Sequence, residues 1–271
     1  MILDWDDAYE NSAHIPDGAA YPARWAAAAA AFRTGCAPDR LRAGLAYGAH
    51  PRERVDLFLP EGRPAGLVVF VHGGYWRRFD RGDWSHLAAG PLGRGWAVAM
   101  AGYPLAPGAR VAAITRSITA AIGAAAATIP GPLVLAGHSA GGHLVVRQVC
   151  ADSGLPEAVR ARIRRVVPIS GLNDLRPLLA TAINDTLRLD HAAAAAESPA
   201  LLWPLPGARV AAWVGGAERP EFLRQTALLT NVWAGLGAEV SQVVVPGRHH
   251  FDVIDPLADP GSDLVAALVG D

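Results

Sequence analysis

The apolar run Leu133-Val134-Leu135-Ala136 leads straight into Gly137-His138-Ser139-Ala140-Gly141-Gly142, and a helical pattern follows over 143–149. A strand, a serine set among glycines, and a helix leave the backbone few options. The chain must reverse within a residue or two, which pushes the serine into a backbone region that L-residues seldom occupy. Glycines on both sides fit that demand, because a Cβ there would collide with the adjoining strand and helix. The result is a hydroxyl lifted off the end of a strand above a helix N-terminus. Ser139 is therefore a candidate nucleophile.

The rest of the chain repeats the strand–helix alternation. Short apolar segments bounded by Gly or Pro predict strands over 55–59, 67–71, 97–101, 133–136, 166–169, 209–214 and 240–245. The first alternates, with Val55, Leu57 and Leu59 on one face, as an edge strand would. The others are nearly continuous apolar runs, as expected of parallel strands covered on both faces. Helical patterns occupy 111–128, 141–152, 219–236 and 261–269, and alanine runs at 26–31 and 192–196 add two more. The expectation is one α/β domain over 1–271, with a mostly parallel central sheet and helices on both faces. The stretch 174–204 holds no strand and reads as a small helical lid. In such sheets the site lies past the carboxyl ends of the strands.

Composition narrows the partners. Of 271 residues, 51% are hydrophobic, enough for a large core, and the net charge is −1 from 24 basic and 25 acidic residues. A nucleic-acid or membrane-surface partner would call for a basic surplus. The arginines at 160, 162, 164 and 165 read as a solvated face. Cys36 and Cys150 have no metal-type spacing, and Cys150 reads as core packing. No apolar stretch is expected to reach a membrane span. The acidic start, Met1 to Asp7, lacks the pattern of a signal peptide. A soluble, cytoplasmic protein acting on a small molecule is expected. A homodimer is left open.

Past 67–71 stands His72-Gly73-Gly74-Tyr75-Trp76. A His-Gly-Gly run after this strand supplies backbone N–H donors for an oxyanion in lipase- and esterase-like hydrolases. The candidate donors are Gly73, Gly74 and Ala140, with His72 pinning the loop. A general base should follow the last strand, where His249 and His250 both qualify. An acid should orient it. Glu218, the first carboxylate after 209–214, is preferred, although it could serve only as a helix-terminal charge. Asp174 is the rival, with capping of a helix from Leu175 as its other role. Tyr75 and Trp76 are candidates for a substrate wall, Trp76 foremost. Trp84, Tyr103 and Trp203 could equally be packing.

These motifs resemble the kynurenine formamidase (arylformamidase)-like branch of the α/β-hydrolases. The resemblance rests on 72–76, 137–144, Ser170-Gly171-Leu172-Asn173-Asp174-Leu175-Arg176-Pro177-Leu178, Val214-Gly215 through Phe222, and His250-Phe251-Asp252. Residues 9–17 add Tyr-Glu-Asn-Ser-Ala-His-Ile-Pro-Asp, so it covers nearly the whole chain. It implies an α/β-hydrolase fold and His250, the histidine before Phe-Asp, as the base. The family commonly has aspartate where this chain has Glu218, a departure that keeps the charge. It further implies cleavage of N-formylkynurenine-type aryl formamides through Ser139, with no metal or organic cofactor. Many bacterial relatives are known only as esterases, so a carboxylesterase is the near alternative. A non-catalytic binder of small ligands is the remaining one.

Overall fold

The structure, a computed structural model, describes residues 4–270, so Met1 to Leu3 of the acidic N-terminal stretch lie outside it. Eight strands form one sheet: β1 (Leu41–Ala46), β2 (Arg54–Phe58), β3 (Leu67–Val71), β4 (Ala97–Ala101), β5 (Leu133–His138), β6 (Ile163–Ile169), β7 (Arg209–Gly215) and β8 (Glu239–Val245). Their order is β1-β2-β4-β3-β5-β6-β7-β8. The β1–β2 and β2–β4 pairs are antiparallel and all others are parallel. The helices are α1 (Trp5–Tyr9), α2 (Tyr21–Gly35), α3 (Ala89–Gly93), α4 (Val111–Thr128), α5 (Ala140–Arg147), α6 (Glu157–Arg160), α7 (Asn184–Leu187), α8 (His191–Ala196), α9 (Pro220–Gly235) and α10 (Asp263–Val269).

The continuous apolar runs follow from two covered faces. Along β3, Leu67, Val69 and Val71 point to one side, where Ile114 of α4, Leu144 of α5 and Trp233 of α9 pack. Val68 and Phe70 point to the other, against Trp25 of α2, Trp84, and Leu264 and Leu268 of α10. Each fully buried side chain of this size contributes about 1.5–3 kcal/mol. The alternation along a strand therefore separates two cores, not core from solvent.

Three expectations change. β1 is absent from the predicted strands, and it is the true edge. Five of its six residues are exposed, so it carries no apolar signature. β2 is consequently an inner strand. Its polar member, Asp56, is buried, where Arg33 and Arg81 pair with it at 2.8 and 3.0 Å. An apparent solvent-facing position is in fact a buried ion pair. Lastly, the 18-residue α4 is apolar enough to span a membrane by composition, contrary to the expectation for this chain, and half of it is buried against the sheet.

The stretch 174–204 is helical, as expected, and contains α7 and α8. Leu178, Leu187 and Ala194 anchor it in the core. It contributes only Ala182 and Ile183 to the main cavity, and the N-terminal segment supplies a larger share of the walls.

Candidate active site

Ser139 sits between β5 and α5 at φ 54° and ψ −119°. Its neighbours explain how that strain is held. A Cβ on Gly137 would stand 2.3 Å from the Gly141 carbonyl oxygen, and one on Gly141 would stand 1.9 Å from that of Val71. The elbow thus presses helix against strand at van der Waals contact, and only glycine fits. The Ser139 N–H donates to the Ile169 carbonyl at 2.8 Å, tying the turn to β6.

Glu218 and His250 meet from the loops after β7 and β8. His250 Nδ1 lies 2.6 Å from Glu218 Oε2. The other carboxylate oxygen accepts the Ser170 hydroxyl and, at 2.7 Å, the Gly215 N–H. Both side chains are buried. A carboxylate with every oxygen occupied and a fixed imidazole partner can hold the ring in one tautomer. Asp174 is elsewhere: its carboxylate pairs with Arg176 at 2.8 and 2.9 Å. His249 turns away as well. It is bonded to Tyr21 at 3.2 Å and accepts the N–H groups of Phe251 and Asp252.

Ser139 and His250 face one cavity of about 740 Å³. His138 also lines it. Its Nε2 donates to the His250 carbonyl at 2.9 Å, and burial together with the neighbouring His250 ring holds it neutral, well below the usual imidazole range. This buried bond fixes the backbone that carries His250.

The Gly73–Trp76 loop closes the site from β3. A Cβ on Gly73 would come within 3.0 Å of the Ser139 Cβ, so this backbone lies against the serine. Among the described residues, the N–H groups of Gly73, Gly74 and Ala140 have no acceptor within the chain. His72 pins the loop by donating from Nδ1 to the Gly73 carbonyl at 2.8 Å. Tyr103 stacks on its ring at 4.3 Å and donates to the His72 carbonyl. Burial lowers the His72 imidazole to about 4.

Gly74, Tyr75 and Trp76 all have positive φ, at 106°, 49° and 54°. That left-handed run sends Tyr75 and Trp76 in different directions. Tyr75 lines the cavity and donates its hydroxyl to the Tyr9 carbonyl at 2.6 Å. Trp76, expected in the substrate wall, is instead fully buried in the core, edge-on to His143 at 5.1 Å. The left-handed turn carries it beneath the loop. Tyr103 is also core, and Trp203 is 64% exposed away from the site.

The aromatic wall consists of other residues. Trp84 lines the cavity with Trp25, Phe79 and Phe251. Trp25 lies 4.6 Å from Trp84 and 5.1 Å from Phe251 between ring centroids. Sequence reasoning missed Trp25, Phe79 and Phe251. The one available signal was a lone tryptophan opening the alanine run of α2.

The comparisons with known proteins agree with this fold. The model of the alpha/beta hydrolase family matches residues 68–270. The chain belongs to that family. A kynurenine formamidase from Danio rerio is 30% identical over 234 residues, covering 82% of this chain and 79% of that protein. This places the chain in the kynurenine formamidase-like branch, and the protein is a hydrolase. A solved structure from Silicibacter sp. TM1040, named as a candidate thioesterase, superposes with a TM-score of 0.93 at 55% identity, covering 98% of this chain and 99% of that one. Esterase B from Lactobacillus rhamnosis shares the fold alone, with a TM-score of 0.65 at 19% identity over 87% of each chain.

Proposed function

We propose that the protein hydrolyses aryl formamides by acyl transfer through Ser139, His250 and Glu218. The observation that carries this reading is a cavity with Ser139 and His250 at its base and six aromatic side chains, Tyr9, Trp25, Tyr75, Phe79, Trp84 and Phe251, in its wall. Ser139 Oγ attacks the formyl carbon while His250 Nε2 takes its proton. The N–H groups of Ala140 and of Gly73 or Gly74 receive the oxyanion. The C–N bond then breaks and His250 returns the proton to the leaving arylamine. Water, deprotonated by the same imidazole, attacks the formyl-serine and releases formate and the free serine. Glu218 stabilises the imidazolium in both halves.

Two features favour a formamide. The Gly73 backbone crowds the serine, which suits an acyl group as small as formyl, while the aromatic residues suit an aryl leaving group. An aryl ring also withdraws the nitrogen lone pair and weakens the amide. The test is steady-state hydrolysis of N-formylkynurenine beside p-nitrophenyl acetate, with Ser139→Ala as control. A kcat/KM of about 10⁴ M⁻¹s⁻¹ or more on the formamide, well above the ester, is expected. The similarity to a candidate thioesterase favours the second reading, an ester or thioester hydrolase using the same residues. A good ester rate with negligible formamide turnover would establish it.

A further inference from the structure

The cavity carries charges that acyl transfer at Ser139 does not use. Arg77 follows the oxyanion loop and lines the cavity. Its Nε is buried with no hydrogen-bond partner. Among the described residues its guanidinium joins no ion pair, whereas other arginines near the site are committed: Arg176 to Asp174, Arg224 to Glu221 and Arg219 to Asp7. A guanidinium N–H withdrawn from water without an acceptor is unfavourable. A carboxylate delivered by a ligand would supply that acceptor in the fork geometry arginine prefers.

The N-terminal segment brings Asp6, Asp7 and Glu10 to the same cavity. Asp6 accepts the Ala182 N–H at 2.7 Å, and Asp7 pairs with His14 and Arg219. Glu10 accepts only the Ala13 N–H, at 3.2 Å, and has no cationic partner among the described residues. Arg78, at the rim, is exposed and stacks on Phe79 at 5.1 Å. A half-buried guanidinium with an unpartnered N–H and an exposed carboxylate with no cationic partner among the described residues therefore line the same cavity as Ser139.

We propose that Arg77 and Glu10 determine specificity by binding the carboxylate and the ammonium of a zwitterionic amino-acid chain carried on the aryl substrate. This rests on the aryl formamide reading above. A mixed-sign lining of three carboxylates and two arginines suits a zwitterion and disfavours a polyanion, whose phosphates would meet Asp6, Asp7 and Glu10.

The test compares two formanilides that differ only in the ortho acyl chain: N-formylkynurenine, with its free α-amino acid, and 2-formamidoacetophenone, with no charge. The readout is the ratio of their kcat/KM values. Arg77→Gln should lower that ratio about 10- to 100-fold, the worth of a charge-assisted pair, and Glu10→Gln should lower it less. Wild-type enzyme given the α-carboxyl methyl ester should show the same loss. Arg77→Gln should then lose little more on that ester, because the partner is already gone. An unchanged ratio in Arg77→Gln, or an equal fall on both formanilides, would overturn the assignment, the latter showing that Arg77 only shapes the loop. If wild-type enzyme cleaves neither formanilide, the formamide reading itself fails and takes this proposal with it.

Discussion

The base and the roof of the cavity are built by different physics. At the base, Ser139, His138, His250 and Glu218 are each at most 7% exposed. Their backbones are fixed by glycine contacts that admit no Cβ and by hydrogen bonds inside a low-dielectric core. The roof, from Asp6 to Ala19, is mostly short helical turns with exposed carboxylates. Ion pairs with half-buried or exposed partners, such as Asp7–Arg219, hold it down. Its firmest attachment is Tyr9, whose buried hydroxyl donates to Glu221 at 2.7 Å and accepts from Gln225 at 3.0 Å. A reacting geometry tolerates little displacement, so the base is dense. The roof, by contrast, leaves its carboxylates exposed to solvent.

The contrast can be broken first at the base. Ser139→Ala should lower kcat by roughly 10⁴–10⁶ with the fold intact by circular dichroism. Turnover near wild type would remove the serine from the chemistry. Glu218→Gln keeps the volume but removes the charge beside His250, and should cost about 10²–10⁴ in kcat. Asp174→Asn should leave kcat near wild type, and the reverse ranking would move the acid to the loop after β6.

The next effect is on stability against pH. Burial holds His72 at about 4 and His143 at about 3. Both groups are lowered, so the unfolded chain takes up protons near pH 6.5 while the folded chain refuses them. Their contribution is intact above pH 6.5 and declines as pH falls toward 4, by about 1.4 kcal/mol per pH unit for each histidine. Thermal melts should therefore show Tm dropping between pH 6 and 4, with a shallower slope in His143→Gln. Equal slopes would show that this histidine is not held neutral.

The smallest effect belongs to the roof. Tyr9→Phe removes one hydroxyl from its buried anchor and should destabilise by about 1–2 kcal/mol, measured by urea denaturation. A loss matching that of a core cavity would mean the roof is as rigid as the base, and the contrast would fall.

The same division decides what the sequence discloses. The parallel strands and the elbow are legible because close packing leaves a compositional trace: continuous apolar runs, and glycines where backbones touch. Glu218 and His250, singled out by their places after β7 and β8, are hydrogen-bonded to each other in the structure. The misreadings occur where side-chain type and environment part company. Asp56 looks like a surface position and is a buried ion-pair partner. Leu41 to Ala46 look unlike a strand because an edge strand with both faces exposed needs no apolar pattern. Trp76 sits close to Gly73 and Gly74 in sequence, yet three residues of positive φ in succession, itself the last, turn it into the core. Arg77 and Glu10 lie 67 positions apart, and nothing local marks two surface-type charges as companions in one cavity.

That left-handed run has a mechanical consequence. Trp76 is gripped from below by the core, while Tyr75 holds the main chain of the roof at Tyr9 from above. Gly73 and Gly74, immediately before them, inherit both constraints. Whatever settles the roof should also settle the backbone of Gly73 and Gly74, the donors proposed for the oxyanion, and whatever lifts it should slacken them. A substrate that engages the roof poorly should thus turn over more slowly even at saturation, so that discrimination is written into kcat as well as KM.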